Sequence, residues 1–160
     1  MTRTTTSLVL AVGLACALNL SACAKAGAAS PDKARGVAFL AQNAKAPGVH
    51  VTPSGLEYQV LTSGPSGGVS PGPDDAVQVN YELKLLDGKV VDSSYARGAP
   101  DVMRLGGLIP AWKEALQMMK PGDTWLLWSP PSLAYGDEQT GPIPPGSVLA
   151  FKIELVSSAH

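Results

Sequence analysis

The sequence has few of the residues on which most enzymes rely for acid, base or metal chemistry. Its 160 residues include two histidines, His50 and His160, and neither has an obvious partner for catalysis. No GxSxG, HExxH or glycine-rich phosphate-binding motif is present. Two pairs of adjacent acids, at 74–75 and 137–138, fall in predicted loops, where solvated turn residues are the simpler interpretation. These absences argue against a hydrolase or a metalloenzyme.

An excess of charge of either sign is also missing. Lysine and arginine together number 12, aspartate and glutamate number 13, and the formal net charge is −1. A basic field of the kind that attracts nucleic acid is therefore absent, and we predict no nucleic-acid partner.

Cysteine is equally scarce, and both cysteines lie near the amino terminus, at Cys16 and Cys23. Residues 7–20 form a run of apolar and small residues that is too short and too weakly flanked for a stable membrane span. Residues 20–23 (LSAC) resemble a bacterial lipobox. We therefore predict a lipoprotein signal peptide over residues 1–22 and a lipid anchor on Cys23, the alternative being an ordinary signal peptide with a chance cysteine. Cleavage would discard Cys16 and leave no disulfide, CxxC pair or thiolate metal site.

The segment after the signal is predicted to be a leader over residues 23–52. Residues 24–30 are small or polar and suit a tether. A helix is predicted over residues 33–45, with Asp32 as its N-cap and the Pro-Gly pair at 47–48 as its end. Because this helix has few large apolar residues, we expect it to pack weakly or to act as a spacer.

From residue 53 onward the hydrophobic period changes to two, which is typical of a sheet with one buried face. The alternation is clearest over residues 77–85 and 147–156. Shorter candidate strands cover residues 56–60, 89–92, 102–105 and 124–128. Trp125 and Trp128 are three apart on one such strand, so one of them is expected to point away from the core.

A single short amphipathic helix is predicted to begin at Pro110, where the missing N–H of proline would be unpaired in any case. Its apolar residues recur at i, i+3, i+4 and i+7, namely Trp112, Ala115, Leu116 and Met119. The Lys-Pro-Gly sequence at 120–122 ends it. The simplest architecture is an α+β domain over residues 53–157, in which a curved antiparallel sheet of about five strands wraps around this helix.

Four ordered sequence blocks resemble the FKBP-type peptidyl-prolyl cis-trans isomerases. In chain order they are residues 86–94 (LDGKVVDSS), 108–112 (LIPAW), 133–136 (LAYG) and 143–151 (IPPGSVLAF). Residues 36–40 (GVAFL) and 53–58 (PSGLEY) are similar to the bacterial macrophage-infectivity-potentiator branch of that family. The resemblance covers roughly residues 33–157, and four blocks in order are far more specific than any single one.

The resemblance implies a half-barrel with a pocket between helix and sheet, floored by Trp112. Tyr135 and Asp92 would be its polar groups, and the Ile109 backbone N–H would donate to the bound peptide. The residues that it implies as catalytic are Tyr81, Asp92, Ile109, Trp112, Tyr135 and Phe151. Those implied as substrate-binding are Val91, Leu108 and Ile143. No cofactor and no metal are implied.

The implied activity is prolyl isomerisation in unfolded or exported proline-containing polypeptides. This reaction breaks no bond and rotates an amide through a barrier of about 18–20 kcal/mol. A dry aromatic pocket favours the twisted, less polar transition state over the planar ground state, so neither a nucleophile nor a metal is needed. Macrolide inhibitors are further implied ligands. The implied location is the bacterial cell envelope, lipid-anchored and either periplasmic or outer-membrane.

Two departures from the family pattern keep a second function open. Val91 stands where a large aromatic residue commonly precedes the aspartate, and neither Asp101 nor Val102 supplies the second aromatic wall. These departures favour a non-catalytic, chaperone-like domain that holds polypeptides in the same apolar pocket. The other pocket residues favour the isomerase.

Overall fold

The computed structural model describes residues 31–159, so the predicted signal peptide, Cys23 and the tether lie outside the described residues. The helices are α1 (Pro31–Asn43), α2 (Ser94–Arg97) and α3 (Pro110–Met118), with short 3-10 helices at Leu105–Gly107 and Pro131–Leu133. The strands are β1 (Val49–Val51), β2 (Glu57–Thr62), β3 (Ala76–Leu85), β4 (Val90–Ser93), β5 (Asp101–Arg104), β6 (Thr124–Ser129) and β7 (Leu149–Ala159). Within this part of the chain, no helix has the length and apolar character needed to cross a membrane.

The strands form one antiparallel sheet in the order β1-β2-β6-β7-β3-β4, and β5 pairs with the same edge of β3 beside β4. The predicted α+β fold with an antiparallel sheet is confirmed. Within residues 31–159 the sheet has seven strands, more than the expected count of about five. One of the additional strands is β1, which lies in the predicted leader and pairs His50 with Tyr58 of β2. With only three residues, it is too short to show a period of two.

Strand β3 pairs along its whole length with β7, and these two strands carry most of the inner face. The predicted alternation is confirmed, since inward-facing residues are buried between more exposed neighbours. The buried inner residues are Val77, Val79, Tyr81, Leu83, Leu149, Phe151, Ile153 and Leu155. Removing this apolar surface from water is the main stabilisation of the sheet.

Helix α3 packs its apolar face against this inner surface. It begins at Pro110, and Trp112, Ala115 and Leu116 are buried, as is Met119 immediately after the helix. The Met119 N–H donates to the Ala115 carbonyl at 3.0 Å and closes the last turn. The predicted start and buried face of this helix are confirmed.

Helix α1 is described over Pro31–Asn43, so Asp32 lies inside the helix and not at the predicted N-cap. Most α1 side chains are exposed or half-buried, but Gly36 is buried. A Cβ atom on Gly36 would lie 2.6 Å from Val148 Cγ2, so the helix backbone touches the domain directly.

The two tryptophans of β6 point to opposite faces, as predicted, but the outward one is not fully exposed. Trp125 is buried and stacks on Tyr58 with 4.5 Å between ring centroids. Trp128 lies on the opposite face but is half-buried. Its neighbour across the sheet is Glu57, and Asn43 at the end of α1 donates to the Glu57 carboxylate at 2.7 Å. The end of α1 therefore lies over the face to which Trp128 belongs.

Candidate active site

A pocket of about 320 Å³ opens between α3 and the inner face of the sheet. It is lined by Tyr81, Leu83, Asp92, Met103, Gly107, Leu108, Ile109, Trp112, Tyr135 and Phe151. Strands β3, β4, β5 and β7 supply one wall, and the segment before α3 together with the loop after β6 supplies the other. The topology thus brings together residues from all the sequence blocks that hold the predicted catalytic residues.

Trp112 forms the buried aromatic centre of this pocket. The Tyr81 ring meets the indole edge-on, with centroids 5.0 Å apart, and the Phe151 ring does so at 5.6 Å. Edge-to-face contacts of this kind are a preferred geometry for aromatic pairs. The Trp112 Nε1 atom has no hydrogen-bond partner among residues 31–159. The floor of the pocket is therefore formed by packed aromatic rings, with one buried N–H that has no partner in this part of the chain.

A polar cluster forms one edge of the pocket. The Tyr81 hydroxyl donates to Asp92 Oδ2 at 2.5 Å and accepts from Arg97 Nη2 at 3.1 Å. Arg97 Nη1 also donates to Asp92 Oδ1, and Nη2 donates to Asp101 Oδ2 at 2.5 Å. One guanidinium therefore joins a phenol and two carboxylates.

The protonation states in this cluster follow from burial and hydrogen bonding. Burial, with the bond to Asp92, raises the pKa of Tyr81 to about 12. The hydrogen bond from Tyr81 is the main cause that lowers the pKa of Asp92, and Arg97 lowers it further. Bonding to Tyr81 and the carboxylates raises the pKa of Arg97. At neutral pH the phenol is neutral while Asp92 and Arg97 are charged.

Sequence reasoning missed Arg97, which is positioned by the four-residue helix α2. The Ser93 hydroxyl caps this helix by accepting from the Ala96 N–H at 3.2 Å, and Gly98 ends it with φ of 79°. The buried Ser94 Oγ accepts from the Tyr81 N–H at 2.8 Å and ties α2 to β3. The serine cap and the glycine five residues later were readable signals of this turn.

Besides the buried Trp112 Nε1–H, two hydrogen-bond donors at the pocket have no partner among the described residues. The Ile109 N–H precedes the first turn of α3 and makes no backbone bond. Tyr135 is 36% exposed, and its hydroxyl makes no hydrogen bond in this part of the chain. Its loop is held by the Gly136 N–H, which donates to the Pro131 carbonyl at 2.8 Å. Both donors are available to a bound ligand.

Two predicted substrate-binding residues do not line the pocket. Val91 is half-buried at an irregularity in the β3–β4 register and packs against the core. Ile143 is 4% exposed and belongs to the core itself. Conversely, Leu83 and Met103 line the pocket without having been predicted. The alternation of buried and exposed residues along β3 would have revealed Leu83, which faces the same way as Tyr81.

Comparison with known proteins places the chain in a family. A family model described as FKBP-type peptidyl-prolyl cis-trans isomerase matches residues 67–156. A second, described as the domain amino terminal to FKBP-type peptidyl-prolyl isomerase, matches residues 16–60. The chain therefore belongs to the FKBP-type peptidyl-prolyl cis-trans isomerase family.

Named relatives include proteins of the macrophage-infectivity-potentiator group. The chain is 45% identical over 130 residues to the outer membrane protein MIP of Legionella longbeachae, covering 81% of this chain and 55% of that protein. It is 47% identical over 121 residues to the peptidyl-prolyl cis-trans isomerase Mip of Coxiella burnetii, covering 75% and 52%. The chain thus spans a little over half the length of these relatives.

Solved structures agree with this assignment. The crystal structure of FkpA from Escherichia coli matches with a TM-score of 0.76 and 42% identity, covering 79% of this chain and 59% of that one. A peptidyl-prolyl cis-trans isomerase from Pseudomonas syringae matches with a TM-score of 0.74 and 35% identity, covering 84% of this chain and all of that one.

Proposed function

We propose that this chain is a peptidyl-prolyl cis-trans isomerase that acts on Xaa-Pro bonds in polypeptides. The observation that carries the proposal is the pocket floor, where Trp112 is packed edge-on by Tyr81 and Phe151 beside the unpartnered Ile109 N–H. Such a site suits a small apolar ring next to an amide carbonyl. Family membership supports the same activity.

The pocket accelerates rotation about the amide bond because it stabilises the twisted transition state more than the planar ground state. A planar amide has strong charge separation, and twisting the bond removes much of it. An environment that excludes water costs the planar, polar state more than the twisted one, so the barrier falls. The prolyl ring rests on Trp112, while the Ile109 N–H and the Tyr135 hydroxyl hold the peptide carbonyls in place.

The polar edge keeps this geometry fixed. Asp92 is satisfied by donors from Tyr81 and Arg97, so its carboxylate keeps one position at the pocket mouth. Fixed dipoles of this kind need no reorganisation when the amide rotates. We assign Asp92 and Tyr81 the role of orienting the substrate, and Leu83, Met103 and Leu108 that of excluding water.

We further propose that residues 53–157 form the isomerase domain and residues 23–52 a leader that joins it to a lipid on Cys23. The LSAC sequence at 20–23 supports this anchor. A bacterial envelope location is supported by the Legionella relative, which is named an outer membrane protein. The substrates would then be exported or unfolded polypeptides that contain proline, and macrolides that mimic them would compete for the pocket.

The activity is tested by cis/trans exchange in a Leu-Pro peptide, measured by NMR with catalytic amounts of the chain. Wild type should accelerate exchange, Asp92→Ala and Tyr135→Phe should lower kcat/KM, and Asp74→Asn, at an exposed loop residue outside the pocket, should not. Equal background rates for all proteins would overturn the isomerase. Peptide binding without acceleration would instead establish the non-catalytic polypeptide-binding domain.

The anchor is tested separately by metabolic labelling with a fatty-acid analogue. Wild type should take the label and sediment with membranes, whereas Cys23→Ser should do neither. An unlabelled wild type would show that the lipobox interpretation is wrong.

A further inference from the structure

Asp101 occupies a position at the pocket mouth that the isomerase mechanism leaves unused. In the β3–β5 pairing it lies opposite Val79, and Met103 lies opposite Val77. Val77 and Val79 are both fully buried on the inner face, so Asp101 and Met103 face the same way. Since Met103 lines the pocket, Asp101 lies one strand repeat, about 7 Å, further along its rim.

The charges around this rim do not cancel. Among the described residues that line the pocket, Asp92 is the only one that carries a charge. Arg97 neutralises one carboxylate, yet it contacts both Asp92 and Asp101. Arg104, the other charged residue of β5, is exposed and alternates with Met103, so it faces away from the pocket. The cluster therefore has a formal sum of −1, and Asp101 sets its sign.

We infer that Asp101 is a specificity-determining residue, which makes the site prefer substrates with a basic side chain beside the proline over those with an acidic one. This inference rests on the proposed isomerase function. The side chains of Asp92, Arg97 and Asp101 are 42%, 45% and 33% exposed, so water screens their field without removing it. For a substrate charge placed about 7 Å from the Asp101 carboxylate, the interaction in water corresponds to roughly a three-fold effect relative to a neutral side chain at low ionic strength.

The test uses three peptides that differ only before the proline, with Lys, Leu or Glu, and measures kcat/KM by NMR exchange at low salt. Wild type should favour the Lys-Pro peptide over the Leu-Pro peptide about three-fold, and the Leu-Pro peptide over the Glu-Pro peptide by about the same factor. The preference should vanish in Asp101→Asn and persist in Asp101→Glu, which keeps the charge. Asp74→Asn removes an equal charge from an exposed loop and should leave the preference intact.

Salt and the neutral peptide separate the outcomes. In 0.5 M NaCl the wild-type preference should fall toward one, because exposed charges are screened. A preference that survives in Asp101→Asn would overturn the inference, as would equal losses on all three peptides, since that pattern marks a structural role. If wild type fails to isomerise even the Leu-Pro peptide, the proposed function fails. The preference for the Lys-Pro peptide over the Glu-Pro peptide would then be measured from their dissociation constants. Equal dissociation constants for the two peptides would overturn the inference.

Discussion

The Tyr81 hydroxyl donates to Asp92 Oδ2 at 2.5 Å, and this bond fixes the polar edge of the pocket. Arg97 Nη2 donates to the same hydroxyl oxygen at 3.1 Å, so the single hydroxyl proton has to point toward Asp92. Burial is the main cause that raises the pKa of Tyr81, and the bond to Asp92 raises it further, while the same bond is the main cause that lowers the pKa of Asp92.

Tyr81→Phe should destabilise the protein in a pH-dependent way. At pH 7 we expect the free energy of unfolding to fall by about 1.5 kcal/mol, the low end of the range for a hydrogen bond to a charged group, because the Asp92 side chain is partly exposed. The folded-state pKa of Asp92 is lowered, so its carboxylate stabilises the folded state. This stabilisation is fully present above the unfolded pKa of about 3.9 and is lost as the pH falls through the folded-state pKa. When the free energy of unfolding is measured in urea, the difference between Tyr81→Phe and wild type should be smaller at pH 3 than at pH 7.

Tyr135→Phe is the matched control, because it removes a pocket hydroxyl that makes no hydrogen bond in the described structure. Its stability should equal that of wild type at both pH values. A Tyr81→Phe deficit that stays constant between pH 7 and pH 3 would contradict the assigned coupling to Asp92.

The parts of the fold that were predictable are those in which many residues repeat one signal. Strands β3 and β7 and helix α3 each present several apolar residues to one core, so their periodicity is visible. Strand β1 has three residues and carries no period. The contact of Gly36 with Val148 could not be predicted from the sequence either, because it depends on how α1 is placed on the domain.

The site was predictable mainly from the family resemblance and not from periodicity. The resemblance implied that Tyr81, Trp112 and Phe151 share a pocket, and the structure lines one pocket with all three. Met103 and Arg97 lie on elements of four residues, and their positions depend on strand register and on a local cap. Register is a tertiary property that a single sequence leaves open.

Gly36→Ala should weaken the docking of α1 even though alanine is the better helix former by about 1 kcal/mol. The new methyl group would meet Val148 Cγ2 at 2.6 Å, so the helix or the side chain has to move. Hydrogen exchange of the α1 amides should accelerate in this variant. Val148→Ala, which removes the opposing methyl group, should restore protection when combined with Gly36→Ala. Equal exchange in all variants would show that the contact does not hold the helix.

The ion pair between Lys33 and Asp137 should contribute little stability but measurable coupling. The Nζ atom lies 2.8 Å from Asp137 Oδ2 and joins α1 to the loop that carries Tyr135. Because both side chains are well exposed, a double-mutant cycle with Lys33→Ala and Asp137→Ala should give about 0.5 kcal/mol, falling toward zero in 1 M salt. Lys45→Ala with Asp137→Ala serves as the uncoupled control. A coupling that resists salt would contradict a solvent-exposed pair.

Met103→Ala should lower kcat/KM about ten-fold on a Leu-Pro peptide. Met103 is the side chain of β5 that lines the pocket, on the wall where no ring was found at Asp101 or Val102. Truncation would withdraw about 60 Å² of apolar contact from the prolyl group, or about 1.5 kcal/mol if expressed wholly in the transition state. Water admitted to the gap would also favour the planar amide.

The control for this change is the preceding residue on the same strand. Val102 is 70% exposed and faces away from the pocket, so Val102→Ala should change kcat/KM by less than about two-fold. Both variants are compared well below their unfolding transitions, because Met103 also packs against the core and its loss reduces stability. If the two variants lose activity equally, the β5 wall has no direct part in binding the prolyl ring. A loss confined to Met103→Ala would mean that a thioether serves as the second wall.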